Sequence, residues 1–119
     1  MPVEVPNDGR EGFISMSVEI AENVLEMPPA EAIELPEVLH AFSDPIRLEI
    51  VRQLAAGGEQ ACGILPLPVS ASTRSHHFKI LRDAGVTVTR AVGTQRLVSL
   101  RRDDLDGRFP GLLDAVLRG

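Results

Sequence analysis

The 119-residue chain is 44% hydrophobic and carries a net charge of −5. Its length allows one compact domain with a single core and excludes two domains of ordinary size. A uniformly acidic chain would argue against binding to nucleic acid, but here the charge is unevenly distributed. Residues 1–60 carry −9, residues 61–102 carry +6 and residues 103–119 carry −2. The central basic segment can therefore attract a polyanion even though the whole chain is acidic.

The cysteine content and the hydropathy pattern indicate the compartment. A single cysteine, Cys62, excludes an intrachain disulfide and suits a reducing environment. The acidic N-terminus lacks a basic region followed by an apolar run, and no stretch reaches the roughly 18 apolar residues of a membrane span. We therefore expect a cytoplasmic protein.

The first 34 residues are rich in glutamate and proline, which predicts a flexible acidic arm. A weakly amphipathic window from Val18 to Leu25 favours one helix, which needs a partner surface to stay folded. Dimerisation would supply such a surface. An alternative, motivated by charge alone, is that the arm folds over the basic segment and competes with DNA.

Two short helices are predicted after the arm, over residues 36–42 and 45–56. Asp44 is a favourable N-cap for the second helix, and the proline that follows it lacks an N–H that would be unpaired there. Arg47 is expected to point outward. Apolar residues three and four positions apart predict one buried stripe, formed by Ile46, Ile50, Val51 and Leu54.

A third helix is predicted from Ser70, a favourable N-cap, to Gly85, a favourable stop. The segment before it, residues 63–69, contains two prolines and allows at most one helical turn or an extended packing segment. At 100° per residue the helix has a core side that includes His77. The opposite side carries short hydroxyls and cations suited to base edges and phosphate oxygens. Its members are Ser72, Ser75, His76, Lys79, Arg82 and Asp83.

A β-hairpin is predicted from the alternating residues 86–90 and 96–100, with its turn at Gly93 and Thr94. The tail is predicted to form charged turns from Asp103 onward. A short apolar helix over residues 110–117 follows and cannot bury itself alone. The inner face of the hairpin is expected to consist of Val86, Val88, Val98 and Leu100.

The hairpin tip carries a second group of candidate contacts. Arg90 and Arg96 flank the tip, where a protruding loop can reach a phosphate strand or the adjacent minor groove. Thr94 and Gln95 lie at the tip itself, and Gln95 supplies an amide that can donate and accept. The alternative is that both arginines form a solvated hairpin edge whose charge prevents aggregation.

The order helix, helix, turn, helix, hairpin, helix predicts a winged helix-turn-helix, a mainly α fold with a small β-hairpin (α+β). The motifs FSDPIRL (residues 42–48), STRSHHFKILR (residues 72–82) and AGV (residues 84–86) resemble the ArsR family of small bacterial winged-helix repressors. The resemblance covers residues 37–102. It implies a homodimer with terminal helices in the interface, and an effector that changes the affinity for an operator.

The resemblance also implies which side chains of the third helix contact DNA: Ser72, Thr73, Ser75, His76 and Lys79. Arg74 departs from the family, which usually has an aliphatic residue there. It lies on the inner flank of the helix, so we expect it to extend to the surface or to reach a phosphate. Arg74 is therefore a further candidate contact.

The domain organisation that follows has three parts. Residues 1–34 are the acidic arm, with one possible helix used in dimerisation. Residues 35–102 are the winged helix-turn-helix DNA-binding domain. Residues 103–119 are a C-terminal turn and short helix, expected in the dimer interface.

No metal site, cofactor or catalytic site is predicted. Cys62 stands alone and the tail after residue 102 has no histidine or cysteine, whereas a tight site needs three or four such ligands. The three histidines are not expected to form one metal site. His77 is assigned to the core side of the third helix, His76 to its DNA-facing side, and His40 lies in another helix. Cys62 is interpreted as a small buried hydrophobic residue, with a redox switch as the alternative. The sequence contains neither a glycine-rich phosphate loop nor a nucleophile paired with a base at a recognisable spacing. It therefore does not indicate an enzyme.

The sequence therefore predicts a sequence-specific DNA-binding transcriptional regulator, a repressor that binds double-stranded DNA at a pseudo-palindromic operator as a homodimer. The alternative is a winged-helix protein-interaction module whose helix and hairpin contact an acidic protein. The effector and the operator are left open.

Overall fold

The computed structural model of the protein describes residues 24–119. In this part of the chain, five α-helices surround a three-stranded antiparallel sheet, and their order confirms the winged helix-turn-helix prediction. Short 3₁₀ turns lie at Ala30–Ala32 and Cys62–Ile64. The α-helices are α1 (Leu35–Phe42), α2 (Pro45–Gly57), α3 (Ala71–Asp83), α4 (Arg102–Arg108) and α5 (Leu112–Arg118). The strands are β1 (Gln60–Ala61), β2 (Thr87–Val92) and β3 (Gln95–Leu100).

The start of α2 confirms the predicted cap. Asp44 Oδ2 accepts hydrogen bonds from the backbone N–H groups of Ile46 at 2.8 Å and Arg47 at 3.1 Å. Partial burial opposes ionisation of this carboxyl, but the two N–H groups and the nearby charge of Arg47 act against burial, and the pKa of Asp44 is lowered. The negative charge also lies at the helix N-terminus, where it is favoured.

One core holds these elements together, and all five helices contribute to it. Removing a large apolar side chain from water stabilises the fold by about 1.5–3 kcal/mol per residue. The sheet supplies the base on which α3 packs. The main members of the core are Val38, Ala41, Ile50, Val51, Leu54, Phe78, Leu81, Val86, Val98, Leu105 and Leu113.

The sheet contains a strand that the sequence did not predict. β3 lies between β1 and β2, and Gln60 and Ala61 of β1 pair with Val98 and Leu97. Two residues are too few to show an alternating pattern. β1 nevertheless joins the segment after α2 to the hairpin, and the prolines that follow leave only a 3₁₀ turn before α3, as predicted.

The predicted inner face of the hairpin is wrong for β2. Thr87 and Thr89 are 0% and 1% exposed, whereas Val88 is only half-buried. The register places Val88 opposite Ser99, on the other face of the sheet. The alternation does not extend back to Val86, because the N–H of Val86 donates to the Leu81 oxygen and so completes the end of α3. Val86 and Thr87 are consequently both buried.

The tail also differs from the prediction. Residues 102–108 form α4, where charged turns were expected. Leu105 is 2% exposed and anchors this helix in the core, while the Arg101 Nε donates to Asp104 at 3.0 Å. The last helix begins at Leu112, because Gly111 has a left-handed backbone with φ of 85°.

The described part of the predicted arm, residues 24–34, packs on the domain. The Leu25 N–H donates to the backbone oxygen of Thr89 on the free edge of β2 at 2.9 Å. Ile33 is 1% exposed and belongs to the core. The helix predicted from Val18 lies outside the described residues, except for its last two positions, which are not helical. Residues 24–34 therefore lie against the helices and the sheet that follow them.

Candidate nucleic-acid interface

The third helix begins and ends where the sequence predicts. Ser70 Oγ accepts a hydrogen bond from the N–H of Thr73 at 3.3 Å and caps the N-terminus. At the other end Gly85 has φ of 88°, and the N–H of Val86 donates to the Leu81 oxygen at 3.0 Å. This left-handed stop directs the chain from α3 straight into the hairpin.

Two faces of α3 differ sharply in exposure. Phe78 and Leu81 are 5% and 0% exposed, and His77 lies beside them at 8%, so its predicted core-side position is confirmed. The opposite face is open to solvent and consists of Ser72, Thr73, Ser75, His76 and Lys79. These are the side chains predicted to contact DNA.

Arg47 holds α3 to the first two helices, and the expectation that it points outward is wrong. It is 6% exposed. Its Nε donates to the Ala41 oxygen at 2.8 Å and its Nη2 donates to the His40 oxygen at 3.1 Å. Its Nη1 donates to Nδ1 of His77 at 3.1 Å. One guanidinium thus joins the end of α1 to the buried face of α3.

Lys79 lies in an ion pair within α3. Its Nζ is 2.6 Å from Asp83 Oδ2, one helical turn further on, and the Lys79 side chain is 63% exposed. An exposed pair of this kind contributes only about 0.3–0.5 kcal/mol. Lys79 can therefore exchange the carboxylate for a phosphate at little cost.

Arg74 is half-buried, and its role differs from the expectation. Its Nη1 donates to the backbone oxygens of Cys62 at 3.0 Å and Leu65 at 2.7 Å. The expectation that Arg74 extends to the surface or to a phosphate is therefore wrong for Nη1. This nitrogen instead holds the turn that contains Cys62 against α3. A DNA contact by the rest of the guanidinium stays a prediction.

Arg90 is engaged by an acidic neighbour. Its Nε and Nη2 donate to the two carboxylate oxygens of Glu59 at 2.8 and 2.9 Å. The hydrogen bond from Arg90 outweighs burial and lowers the pKa of Glu59. A bidentate pair of this kind neutralises the arginine as long as the glutamate is ionised.

The two hairpin arginines lie on opposite faces of the sheet. Arg90 pairs with Leu97, and Arg96 pairs with Ala91, which follows Arg90 in the strand. Successive residues of a strand point to opposite faces, and directly paired residues share a face. Arg96 therefore shares a face with Thr89, towards α3, and Arg90 does not.

The tip itself is short and exposed. Val92 pairs with Gln95, which leaves a two-residue turn at Gly93 and Thr94. Gly93 has φ of 61°, a conformation that suits a tight hairpin turn. Thr94, Gln95 and Arg96 are all exposed, so this tip is available to a ligand.

Four predicted contacts surround one cavity. Arg74, Ser75 and Lys79 of α3 line it together with Arg96 of β3. Ser72, Thr73 and His76 share the open face of α3 outside this cavity. The hairpin and α3 thus form one continuous polar surface. Arg90 does not belong to this surface, because it lies on the opposite face of the sheet.

The histidines and the cysteine are separated in their roles. Residues 24–119 contain no group of three or more His, Cys, Asp or Glu side chains arranged to hold a metal ion. The His76 and His77 ring centres are 6.1 Å apart, and Nδ1 of His77 is already bonded to Arg47. Cys62 is half-buried, and burial raises the pKa of its thiol.

In the described residues, no helix combines the length and the apolar character that a membrane crossing requires.

Comparison with known proteins identifies relatives over most of this region. Residues 44–86 match the family described as "Bacterial regulatory protein, arsR family". The chain is 39% identical over 83 residues to the uncharacterized HTH-type transcriptional regulator YceK of Bacillus subtilis (strain 168), covering 67% of this chain and 83% of that protein. It is 39% identical over 74 residues to the arsenical resistance operon repressor of Staphylococcus xylosus, covering 61% of this chain and 71% of that protein.

A solved structure shares the fold. The crystal structure of an ArsR family transcriptional regulator superposes with a TM-score of 0.59 at 20% sequence identity. The match covers 76% of this chain and 92% of that one. At this sequence identity the match shows that the two proteins share a fold.

Proposed function

Because the chain belongs to the ArsR family and is a DNA-binding transcriptional regulator, we propose that it is a homodimeric repressor of a pseudo-palindromic operator. The two half-sites would lie about one DNA turn, roughly 10 base pairs, apart. Each protomer places the N-terminal turn of α3 in the major groove. The relatives are named as regulators and none as an enzyme, and we propose a role in the cytoplasm without catalysis.

The open face of α3 is the observation that carries this proposal. Its hydroxyls, histidine and lysine are exposed, while the opposite face is fixed in the core by Phe78 and Leu81. A helix that is rigid on one side and polar on the other can enter a groove without rearrangement. Short hydroxyls allow close approach to base edges, and Lys79 supplies charge for a phosphate.

The contact roles follow from position. Ser72, Thr73, Ser75 and His76 lie in the first half of α3 and are assigned to the bases and nearby phosphates. Thr94, Gln95 and Arg96 at the hairpin tip are assigned to the flanking backbone or minor groove. Arg74 and Arg90 are assigned secondary roles, because backbone oxygens and Glu59 already engage them.

Two apolar side chains support dimerisation. Leu35 and Leu39 lie one turn apart on α1 and are 42% and 47% exposed. Half-buried side chains of α5, Leu112 and Val116 among them, add apolar surface in the tail. We propose that these terminal elements cover each other in a second copy. Sedimentation of Leu39→Glu tests this, because a charge at that position would shift the protein towards the monomer.

The function is tested by selection of genomic fragments at physiological salt, followed by affinity measurement over a range of salt concentrations. A regulator should retain particular fragments, and its affinity should fall steeply with salt because phosphate contacts release counterions. A slope near zero on every duplex, with retention of an acidic protein, would instead support the protein-interaction module.

We propose that no metal is needed, so a chelator should leave the DNA affinity unchanged.

A further inference from the structure

A cavity of about 250 Å³ lies between α3 and the face of the sheet that carries Arg96. Four of its lining residues are cations: Arg74, Lys79, Arg82 and Arg96. Among residues 24–119 no acidic residue lines it, and Asp83, the partner of Lys79, lies outside the lining. Across residues 24–119, neither Arg82 nor Arg96 forms an ion pair. Arg82 and Arg96 therefore give the cavity positive charge that no ion pair within the described part of the protein neutralises.

One residue that lines the cavity also carries a buried hydroxyl without a partner. Thr89 is 1% exposed, and its Oγ1 has no hydrogen-bond partner among the described residues. Buried polar atoms are rarely left unpaired, because they lose their bonds to water without replacement. A ligand that accepts a hydrogen bond from Thr89 would satisfy this group.

The remaining walls do not oppose an anion. Ser75 adds an exposed hydroxyl on the α3 side. Cys62 borders the cavity, and burial raises the pKa of its thiol even though Arg96, Arg82 and Arg74 act in the opposite direction. The thiol therefore stays neutral, and Phe78 closes the apolar side of the space.

We propose that this cavity binds a small free oxyanion of the phosphate class, held by Arg82, Arg96 and the hydroxyl of Thr89. The bound anion also contacts Ser75 and Lys79, which the proposed function assigns to DNA. Anion and operator therefore compete, and the anion lowers the DNA affinity. This competition rests on the proposed function, whereas binding of the anion to the free protein does not.

Two threonines of β2 allow a matched test of binding. Thr87 and Thr89 lie on the same face of the strand, both are buried, and the Oγ1 of each is unpaired within residues 24–119. Only Thr89 lines the cavity. Thr89→Val and Thr87→Val each replace the hydroxyl with a methyl group and keep the branched shape of the side chain. Urea unfolding should show that both variants keep the fold.

Titration calorimetry of the full chain with inorganic phosphate, at ionic strength held constant with sodium chloride, measures the binding. We expect one phosphate per chain, weakened about tenfold or more by Thr89→Val and by Arg82→Gln, which removes one charge. Thr87→Val should bind phosphate as the wild type does. Absence of phosphate binding, or equal losses in the two threonine variants, would overturn the proposal.

Replacing chloride by phosphate at constant ionic strength then tests the competition. DNA affinity should fall in the wild type and much less in Thr89→Val. If the protein binds no DNA at all, the regulatory function fails while calorimetry still decides whether the cavity takes an anion. If phosphate does not bind and Arg82→Gln weakens DNA binding, the cavity holds a phosphate of the DNA backbone and the free-anion proposal is wrong.

Discussion

Arg47 Nη1 donates a hydrogen bond to Nδ1 of His77 across 3.1 Å, and the two residues are 30 positions apart in the chain. Because arginine is always a donor, Nδ1 of His77 is the acceptor of this hydrogen bond. The same guanidinium binds the backbone oxygens of His40 and Ala41. The turn between α1 and α2 and the buried face of α3 are therefore held by a single side chain.

Replacing Arg47 with methionine should strongly destabilise the domain. Methionine fills much of the same volume but leaves two buried acceptors without a donor, the Ala41 oxygen and Nδ1 of His77, whereas the His40 oxygen keeps its hydrogen bonds from Ser43. A single unsatisfied buried acceptor costs about 1–3 kcal/mol. We therefore expect urea unfolding to show a loss of at least about 2 kcal/mol.

Arg52→Met is the matched control for this loss. Arg52 lies on the same helix, is exposed, and has only a 4.0 Å ion pair with Glu49. Its replacement should change the free energy of unfolding by less than about 0.5 kcal/mol. Equal effects of the two substitutions would contradict the bracing role of Arg47.

Asp44 should make the stability depend on pH in the acid range. Its pKa is lowered in the folded protein, so its contribution is fully present above the ordinary pKa of an aspartate, about 3.9. It is lost as the pH falls through the lower folded value. Asp44→Ala should cost about 1 kcal/mol near pH 7, the usual cost of losing an N-cap.

Asp44→Asn isolates the part of this effect that titrates. Asparagine keeps an oxygen acceptor for the N–H groups of Ile46 and Arg47 but carries no charge. Urea unfolding at a series of pH values should therefore show a difference between wild type and Asp44→Asn that shrinks on acidification. A difference that is independent of pH would mean that ionisation of Asp44 contributes nothing to stability.

The helices, their caps and the hairpin were predictable because each has a local signal. Asp44 and Ser70 precede apolar periodic segments, and Gly85 follows one. These features act over one or two helical turns, so a single sequence reveals them. The open face of α3 was predictable for the same reason.

The contacts that were missed depend on residues distant in sequence. Arg47 stands at i−3 and i−4 from Ile50 and Val51, so the spacing already placed it in the buried stripe. Its charge argued against that position, and only His77 and the carbonyls of α1 explain its burial. The β1 strand and the ion pair between Arg90 and Glu59 likewise arise from tertiary contacts, which local periodicity does not contain.

Gly85→Ala should destabilise the protein through two separate effects. Gly85 has φ of 88°, which costs a residue with a side chain about 1–2 kcal/mol. A Cβ there would also lie 2.5 Å from Cγ1 of Ile33. Combining Gly85→Ala with Ile33→Ala should remove the steric part, so the loss for the pair should be less than the sum of the two single losses. Gly63→Ala, with no atom within 4 Å of the added Cβ, is the control.

Ser75 and Arg96 should affect DNA binding differently. Ser75 lies on the open face of α3, so Ser75→Ala should weaken the operator complex more than binding to bulk DNA. Arg96 lies at the hairpin tip, so Arg96→Ala should weaken both and reduce the salt slope by about 1. Titration of both duplexes over a salt series distinguishes the two effects. The reverse pattern would mean that the base and backbone roles are exchanged.

Glu59→Gln should strengthen binding to DNA by releasing Arg90. In the wild type both guanidinium contacts of Arg90 go to the ionised carboxylate, whose pKa is lowered by that pair. A neutral amide at position 59 leaves the arginine charge available to a phosphate, so the salt slope should rise by about 0.9 for one added contact. Glu49→Gln, a matched removal of charge on α2, should leave the slope unchanged. In an Arg90→Ala background Glu59→Gln should lose its effect on the slope, and an effect of the same size there would show that the glutamate acts by repelling DNA directly.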